Sequence, residues 1–148
     1  MSSHKYSKNP FEHRTIIGFV VILFIIFTTV IADADTLTWT NNGGIGNGSW
    51  HAATNWNPTQ VPTDGDDVII PVGTDPVTYS TTTTNLYSLT CSGVLTISGG
   101  ILNLLSASSI DTNGTLNLSG GSSFGTSSAI TLSGTFNWSG APLQVAAA

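Results

Sequence analysis

The chain has 148 residues, a formal net charge of −5 at pH 7 and a single cysteine, Cys91. All three Lys and Arg residues lie at or before Arg14, so the rest of the chain carries no fixed positive charge. These features exclude a nucleic-acid partner, which needs cations to neutralise its phosphates, and they exclude an intramolecular disulfide.

Residues 1–34 have the features of a signal peptide. Lys5, Lys8 and Arg14 form a basic start, an uninterrupted apolar run covers residues 15–32, and small residues follow at the cleavage point. The alternative is an uncleaved anchor, because the apolar run approaches the thickness of a bilayer. Both interpretations place the remainder outside the cytoplasm, secreted or at the cell surface, with residues 15–32 as the only contact with a membrane.

Residues 35–67 form a segment rich in Trp, Gly and Asn, which turn-forming pairs break into short pieces. Its three tryptophans, Trp39, Trp50 and Trp56, could stack on pyranose rings as a carbohydrate-binding platform. We favour the alternative, in which the segment caps the open end of a repeat array, since an uncapped array exposes strand edges and apolar core.

An acidic cluster, Asp64, Asp66 and Asp67, comes directly before the first apolar strand. Carboxylate oxygens suit calcium, so these residues are the weak candidates for a metal site. Their spacing matches neither an EF-hand loop nor a calcium-binding nonapeptide repeat, and turn-forming aspartates are the favoured interpretation. The sequence predicts no cofactor.

A short phrase returns three times within residues 88–140, around Gly93, Gly114 and Gly134. The steps between these glycines are 21 and 20 residues, a period typical of a solenoid. Leu102, Leu104, Leu105 and Phe124, between the phrases, are predicted to join the core, and the Thr run at 81–84 is predicted to form a corner.

Within each phrase, side chains alternate with the period of two that a strand imposes. Alignment on the glycines predicts four inward columns: Val68, Leu89, Ile110, Ile130; Ile70, Cys91, Thr112, Leu132; Leu95, Leu116, Phe136; and Val77, Ile97, Leu118, Trp138. The predicted outward columns are Thr90, Asp111, Thr131; Ser92, Asn113, Ser133; Val94, Thr115, Thr135; Thr96, Asn117, Asn137; and Ser98, Ser119, Ser139.

The predicted fold is therefore all-β: a right-handed parallel β-helix of about 20 residues per coil, with coils in residues 68–148. An antiparallel β-sandwich is the alternative, although it does not require columns that match at a fixed offset. The last coil is expected to leave Phe136 and Trp138 at an open edge, which implies either a truncated solenoid or end-to-end self-association.

The Trp-rich segment also carries a resemblance. Trp39 and Trp50 are separated by TNNGGIGNGS, and Asn55 with Trp56, Val61 with Pro62, and the run DDVII at residues 66–70 follow. This pattern resembles the N-terminal part of bacterial secreted β-helix repeat proteins, namely the passenger regions of autotransporter adhesins and filamentous-haemagglutinin-like proteins. The resemblance implies an exported, surface-associated solenoid and assigns no catalytic residue.

Catalysis is not expected, because the exported part has no Lys, no Arg and no Glu, and its one histidine, His51, has no evident partner. We expect a structural or adhesive module with polysaccharide or host-cell glycans as partners. The alternatives are a carbohydrate- or ice-binding module that uses outward Thr, Ser and Asn ladders, and, less favoured, a polysaccharide-degrading enzyme. The candidate ligand-binding residues are Trp39, Trp50, Trp56, Asn113, Thr115, Asn117, Thr135 and Asn137.

Overall fold

The structure is a computed structural model that describes residues 34–41, 48–140 and 142–145. The predicted signal peptide or anchor lies outside the described residues, apart from its last position. Among the residues that are described, no helix is long and apolar enough to cross a membrane.

The described part of the chain folds into short β-strands joined by tight corners, with a single 3₁₀ turn at Ala53–Asn55. The strands are β1 (Thr36–Trp39), β2 (Trp56–Asn57), β3 (Asp67–Ile70), β4 (Val77–Tyr79), β5 (Thr83–Leu86), β6 (Ser88–Cys91), β7 (Val94–Ile97), β8 (Gly100–Leu104), β9 (Ser108–Ile110), β10 (Thr115–Ser119), β11 (Ser122–Thr126), β12 (Ile130–Leu132), β13 (Thr135–Ser139) and β14 (Leu143–Val145).

From β3 onward, consecutive strands join three sheets in turn, and each sheet stacks one strand from every coil. Sheet A has the order β12-β9-β6-β3-β1-β2, sheet B the order β13-β10-β7-β4, and sheet C the order β14-β11-β8-β5. The strands from successive coils pair in parallel, and only β2 runs antiparallel to its neighbour β1. The protein is thus a parallel β-solenoid of about three turns. The antiparallel β-sandwich is wrong, because equivalent strands lie a whole coil apart and cannot be joined as hairpins.

The predicted inward and outward faces of sheet B are confirmed. Leu116 pairs with Leu95 on one side and Phe136 on the other, and Leu118 lies between Ile97 and Trp138 in the same way. Val77 is the exception to the predicted columns. It was expected beside Ile97, but it pairs with Leu95, and Tyr79 lies beside Ile97 instead. The first coil is shorter on this side than the glycine interval suggests.

The predicted columns of sheet A are wrong by two residues in one coil. Ile110 pairs with Cys91 and Leu132, the column in which Thr112 was expected. The partner of Ile130 is Ser108, and Ser109, not Asp111, lies between Thr90 and Thr131.

The cause of this shift is the corner that follows β9. Residues 111–114 form a turn in which the N–H of Gly114 donates to the carbonyl of Asp111 at 2.7 Å. Asp, Asn and Gly are the residues that such turns favour. This corner holds two residues more than the corner between β6 and β7. When the coils are aligned on their glycines, the residues of β9 are therefore assigned partners in β6 and β12 that are wrong by two positions.

Stacked glycines fix the approach between coils where β7, β10 and β13 begin. A Cβ on Gly114 would lie 2.2 Å from the carbonyl oxygen of Cys91, and one on Gly134 would lie 2.2 Å from that of Gly114. Only a residue without a side chain allows the coils to come this close. Close backbone contact between coils thus explains why the repeated phrase has glycine at this position.

The Trp-rich segment extends sheet A beyond the first coil. Strand β1 pairs in parallel with β3, so Leu37 lies beside Val68, and β2 adds an antiparallel strand outside β1. Trp56 meets Trp39 and Trp50 edge-to-face at centroid distances of 5.0 and 4.8 Å. All three rings belong to the same buried cluster as the solenoid core, which agrees with the predicted cap.

The last described coil is less covered than the others. Leu132 and Trp138 are 49% and 58% exposed, whereas Leu116 and Leu118, one coil earlier, are at most 1% exposed. Phe136 is partly buried against the core. The expectation that Trp138 lies at an exposed edge is confirmed, and Phe136 is better covered than expected.

Candidate functional site

The tryptophans of the cap cannot act as a carbohydrate platform. Trp39, Trp50 and Trp56 are each at most 1% exposed, so their faces contact other side chains and not solvent. The indole N–H of Trp56 donates to the carbonyl of Trp50 at 2.8 Å, and that of Trp39 donates to the carbonyl of Asp75 at 3.0 Å. The expectation of a stacking site here is corrected: the three rings hold the cap together.

The carboxylates of the acidic cluster bind three separate parts of the chain. Asp66 accepts hydrogen bonds from the N–H groups of Asp35 and Thr63, and Asp67 accepts one from the hydroxyl of Ser88. Asp64 binds Asn85 in the next coil. Within the described residues, no three His, Cys, Asp or Glu side chains are grouped closely enough to hold a metal ion. Each carboxylate therefore has a structural partner.

Four of the predicted ligand-binding residues do lie together, on the outward face of sheet B. Thr115 pairs with Thr135, and Asn117 pairs with Asn137. The fifth, Asn113, lies apart in the exposed turn at residues 111–114. We call the outward side of sheet B the ladder face; it comprises Thr78, Val94, Thr96, Thr115, Asn117, Ser119, Thr135, Asn137 and Ser139.

Side-chain hydrogen bonds run along the ladder face from coil to coil. The amide nitrogen of Asn137 donates to Oδ1 of Asn117 at 2.8 Å, and that of Asn117 donates to Oγ1 of Thr96 at 3.1 Å. Each asparagine uses one of its two N–H donors in this chain, so the other faces outward. The result is a neutral strip of donors and acceptors that repeats at the strand spacing of about 4.8 Å.

A second ladder, which the sequence analysis missed, lies on the outward face of sheet C. The amide nitrogen of Asn103 donates to Oδ1 of Asn85 at 2.8 Å. Asn85 in turn donates to Asp64 twice, from its backbone N–H at 2.8 Å and from its amide at 2.9 Å. The backbone hydrogen bond from Asn85, and then its side-chain bond, lower the pKa of Asp64. This ladder therefore ends on a carboxylate, whereas the one on sheet B ends on a hydroxyl.

Apolar side chains flank the second ladder. Tyr87, Leu105 and Ile101 are 51%, 48% and 40% exposed. Leu86 pairs with Leu104, so Tyr87 and Leu105, one residue further on, occupy equivalent outward places in successive coils. We call this surface the Tyr87 face; it comprises Asp64, Thr83, Asn85, Tyr87, Ile101, Asn103 and Leu105.

The alternation of outward and inward residues along β5 and β8 is the signal that could have identified this face. The predicted corner at residues 81–84 is only partly right, because Thr83 and Thr84 belong to β5 and Thr84 is buried. The prediction that Leu105 joins the core is wrong. Its neighbour Leu104 is the buried residue, and the alternation places Leu105 on the opposite side.

The remaining ionisable groups have structural surroundings. Burial raises the pKa of the Cys91 thiol to about 11, so it stays protonated and behaves as a small apolar side chain. Partial burial lowers the pKa of His51, whose Nε2 lies 3.3 Å from the hydroxyl of Thr81. Asp111 accepts hydrogen bonds from Ser92 and Ser109, and these bonds lower its pKa.

Comparison of the chain with protein-family models, with curated proteins and with solved structures found no match.

Proposed function

We propose that this chain is an exported, surface-associated β-solenoid that serves as a structural and adhesive module without catalytic activity. The observation that carries the proposal is the ladder face, in which asparagine and threonine side chains are bonded to one another across coils on a continuous parallel sheet. A surface of this kind is ordered before any partner arrives.

The stacked coils provide a stiff support for that surface. Each inward column is continuous through the sheets, and the residues at its centre, such as Leu95 and Leu116, are fully buried. Burying one leucine side chain contributes about 1.5–3 kcal/mol, and every coil adds several such residues. Because each coil packs against its neighbours only, such a design can be lengthened by adding coils.

The charge of the surface suits partners that bind through hydroxyl and amide groups. No Lys or Arg follows Arg14, and the ladder face itself contains no ionisable side chain. Glycans and other polar chains bind to such a surface through many weak hydrogen bonds. Affinity then grows with the length of the contact, which is the behaviour that adhesion requires.

The proposed location rests on the sequence. The basic start, the apolar run and the small residues at positions 1–34 are those of a signal peptide or an anchor. The pattern from Trp39 to Ile70 resembles the N-terminal part of bacterial adhesins that are presented outside the cell.

A second candidate function is recognition of a regular surface, polysaccharide or ice, by the ladder face alone. The pairing of Thr115 with Thr135 favours it. Against it, Val94 precedes this pair in the same column and Asn117 follows Thr96, so the array lacks the uniform threonines that an ice lattice would match. We therefore place adhesion first.

The experiment is to express the full chain with an epitope tag in a bacterial host, and to measure surface retention and attachment of the cells to glycan-coated beads. The test variant carries Thr96→Lys, Asn117→Lys and Asn137→Lys, which disrupt the ladder face and leave the core unchanged. A matched control carries Thr90→Lys and Thr131→Lys on the outward face of sheet A.

We expect the tagged chain at the cell surface, attachment lost in the ladder-face variant, and attachment retained in the control. The proposal would be contradicted if the epitope tag were found only in the cytoplasm. It would also be contradicted if cells that express the wild-type protein attached to the beads no better than cells that lack it.

A further inference from the structure

We infer that the Tyr87 face is a binding site for a neutral polysaccharide, which lies across β5 and β8 with a sugar ring on Tyr87. This inference deepens the proposed function and rests on it, since it adds to the ladder face a second surface, with a named ligand class, through which the module binds glycans.

Tyr87 presents a large aromatic side chain on a rigid backbone. Tyr87 is half exposed, and its ring is apolar in its body and polar at its hydroxyl. Its N–H donates to the carbonyl of Asp66 at 2.8 Å, and its carbonyl accepts from the N–H of Ser106 at 2.7 Å. Backbone bonds on both sides hold the residue in place, so binding costs little ordering of the chain.

Two aliphatic side chains lie on the same face as the ring. Leu105 occupies the equivalent place beside Tyr87 one coil further on, and Ile101 pairs with Thr83 at the other end of the face. Both remain about half exposed. The faces of pyranose rings carry C–H groups that pack on aromatic and aliphatic side chains. An apolar floor with a few fixed polar groups is the usual composition of a small-molecule or sugar subsite.

Hydrogen bonds fix the direction of the amide groups. Asp64 accepts the backbone N–H of Asn85 and one N–H of its side-chain amide, and Oδ1 of Asn85 accepts from Asn103. Each of the two asparagines keeps one N–H donor for a ligand hydroxyl. The carboxylate of Asp64, which is ionised at neutral pH, also attracts hydroxyl donors.

The charge of the site selects against acidic polysaccharides. Asp64 lies on the face itself, Asp66 and Asp67 follow it in the chain, and no Lys or Arg occurs after Arg14. An anionic chain would meet like charge without any compensating cation. Strands of successive coils lie about 4.8 Å apart, so one extended sugar chain can contact Tyr87 and Leu105 together.

The test is affinity electrophoresis of the exported full chain in native gels that contain hydroxyethyl cellulose, galactomannan or laminarin, with carboxymethyl cellulose as the anionic counterpart. The variants are Tyr87→Ala, Tyr87→Phe and Asn103→Ala, and the control is Thr131→Ala on the outward face of sheet A, which belongs to neither ladder. Tyr87 is on the surface, so its variants should fold, which circular dichroism checks.

We expect retardation by at least one neutral polysaccharide and none by carboxymethyl cellulose. Tyr87→Ala should weaken binding about tenfold or more, the loss of one stacking contact of about 1.4 kcal/mol, while Tyr87→Phe and Thr131→Ala should bind within about twofold of the wild type. Asn103→Ala should weaken binding in the same gels.

The inference is overturned if no neutral polysaccharide retards the protein, if carboxymethyl cellulose retards it more strongly, or if Tyr87→Ala binds as the wild type does. The two experiments can fail separately. If cells attach to the glycan-coated beads but no gel with a neutral polysaccharide retards the protein, this site is rejected and the adhesive function stands. If the gels show retardation that depends on Tyr87 but the protein never reaches the cell surface, the site stands and the surface function is rejected.

Discussion

The backbone N–H of Leu89 donates a hydrogen bond of 3.0 Å to the side-chain oxygen of Ser108, one coil away in sheet A. Ser108 is an inward residue and is buried, and its hydroxyl donates in turn to the carbonyl of Ser106 at 3.1 Å. A serine is tolerated in an apolar column because both capacities of its hydroxyl are used.

Ser108→Ala should therefore destabilise the protein although it removes only one atom. The substitution leaves the N–H of Leu89 buried without its acceptor, which costs about 1–3 kcal/mol. Ser109→Ala, whose hydroxyl bonds to Asp111 at the surface, should change stability by no more than about 0.5 kcal/mol. Urea unfolding followed by circular dichroism checks the pair, and equal effects would contradict the buried role of Ser108.

Leu116 and its neighbour Asn117 should respond oppositely to the same new side chain. Leu116 is fully buried, so Leu116→Asp places a carboxylate among apolar groups and should prevent folding. Asn117→Asp should be tolerated, because its oxygens can still accept from Asn137 and from the hydroxyl of Thr96. Soluble yield and the circular dichroism spectrum distinguish them; two folded variants or two unfolded ones would refute the assignment of the two faces.

Gly114→Ala should destabilise the stack by several kcal/mol, at the high end of single-substitution effects. The new methyl would lie 2.2 Å from the carbonyl oxygen of Cys91, and backbone on both coils would have to move. Gly120→Ala is the control, since the nearest atom that its methyl would meet is 3.9 Å away. A thermal unfolding midpoint for Gly114→Ala equal to that of Gly120→Ala would argue against tight contact between these coils.

Acid should weaken the protein through Asp64 and Asp111. Hydrogen bonds from Asn85 lower the pKa of Asp64, and bonds from Ser92 and Ser109 lower that of Asp111, below the ordinary value of 3.8. A carboxyl group with a lowered pKa in the folded state stabilises it above that ordinary value, and the contribution is lost as pH falls through the lowered pKa.

The variant Asp64→Asn, Asp111→Asn should therefore melt below the wild type at neutral pH, and the difference in melting temperature should shrink below about pH 4. Thermal scans at a series of pH values measure this difference. A difference that stays constant as the pH is lowered would show that the two carboxylates contribute nothing through their charge.

The alternation within strands and the stacking of coils could be predicted, because Leu95, Leu116 and Phe136 each follow a glycine of the repeated phrase by two residues. The register of Ile110 could not. Its position depends on the two additional residues in the corner at 111–114, and nothing before Gly114 in the sequence marks them as an insertion.

Of the candidate ligand-binding residues, those on sheet B were found together on one surface, whereas the tryptophans were not, and the reason is physical. An exposed tryptophan that stacks on a ligand and a buried one that closes a core have the same sequence signal, and Trp39, Trp50 and Trp56 are of the second kind. Tyr87, a half-exposed aromatic residue that could take the first role, lies one residue beyond β5, and no repeat of the glycine phrase covers it.

The uneven covering of the two ends implies a gradient of local opening along the stack. The N-terminal end is closed by three interlocked indole rings, whereas Leu132 and Trp138 in the last described coil remain about half exposed. Amide hydrogen exchange should therefore be slowest in β1 and β3 and fastest in β12 and β13, with opening that travels inward one coil at a time.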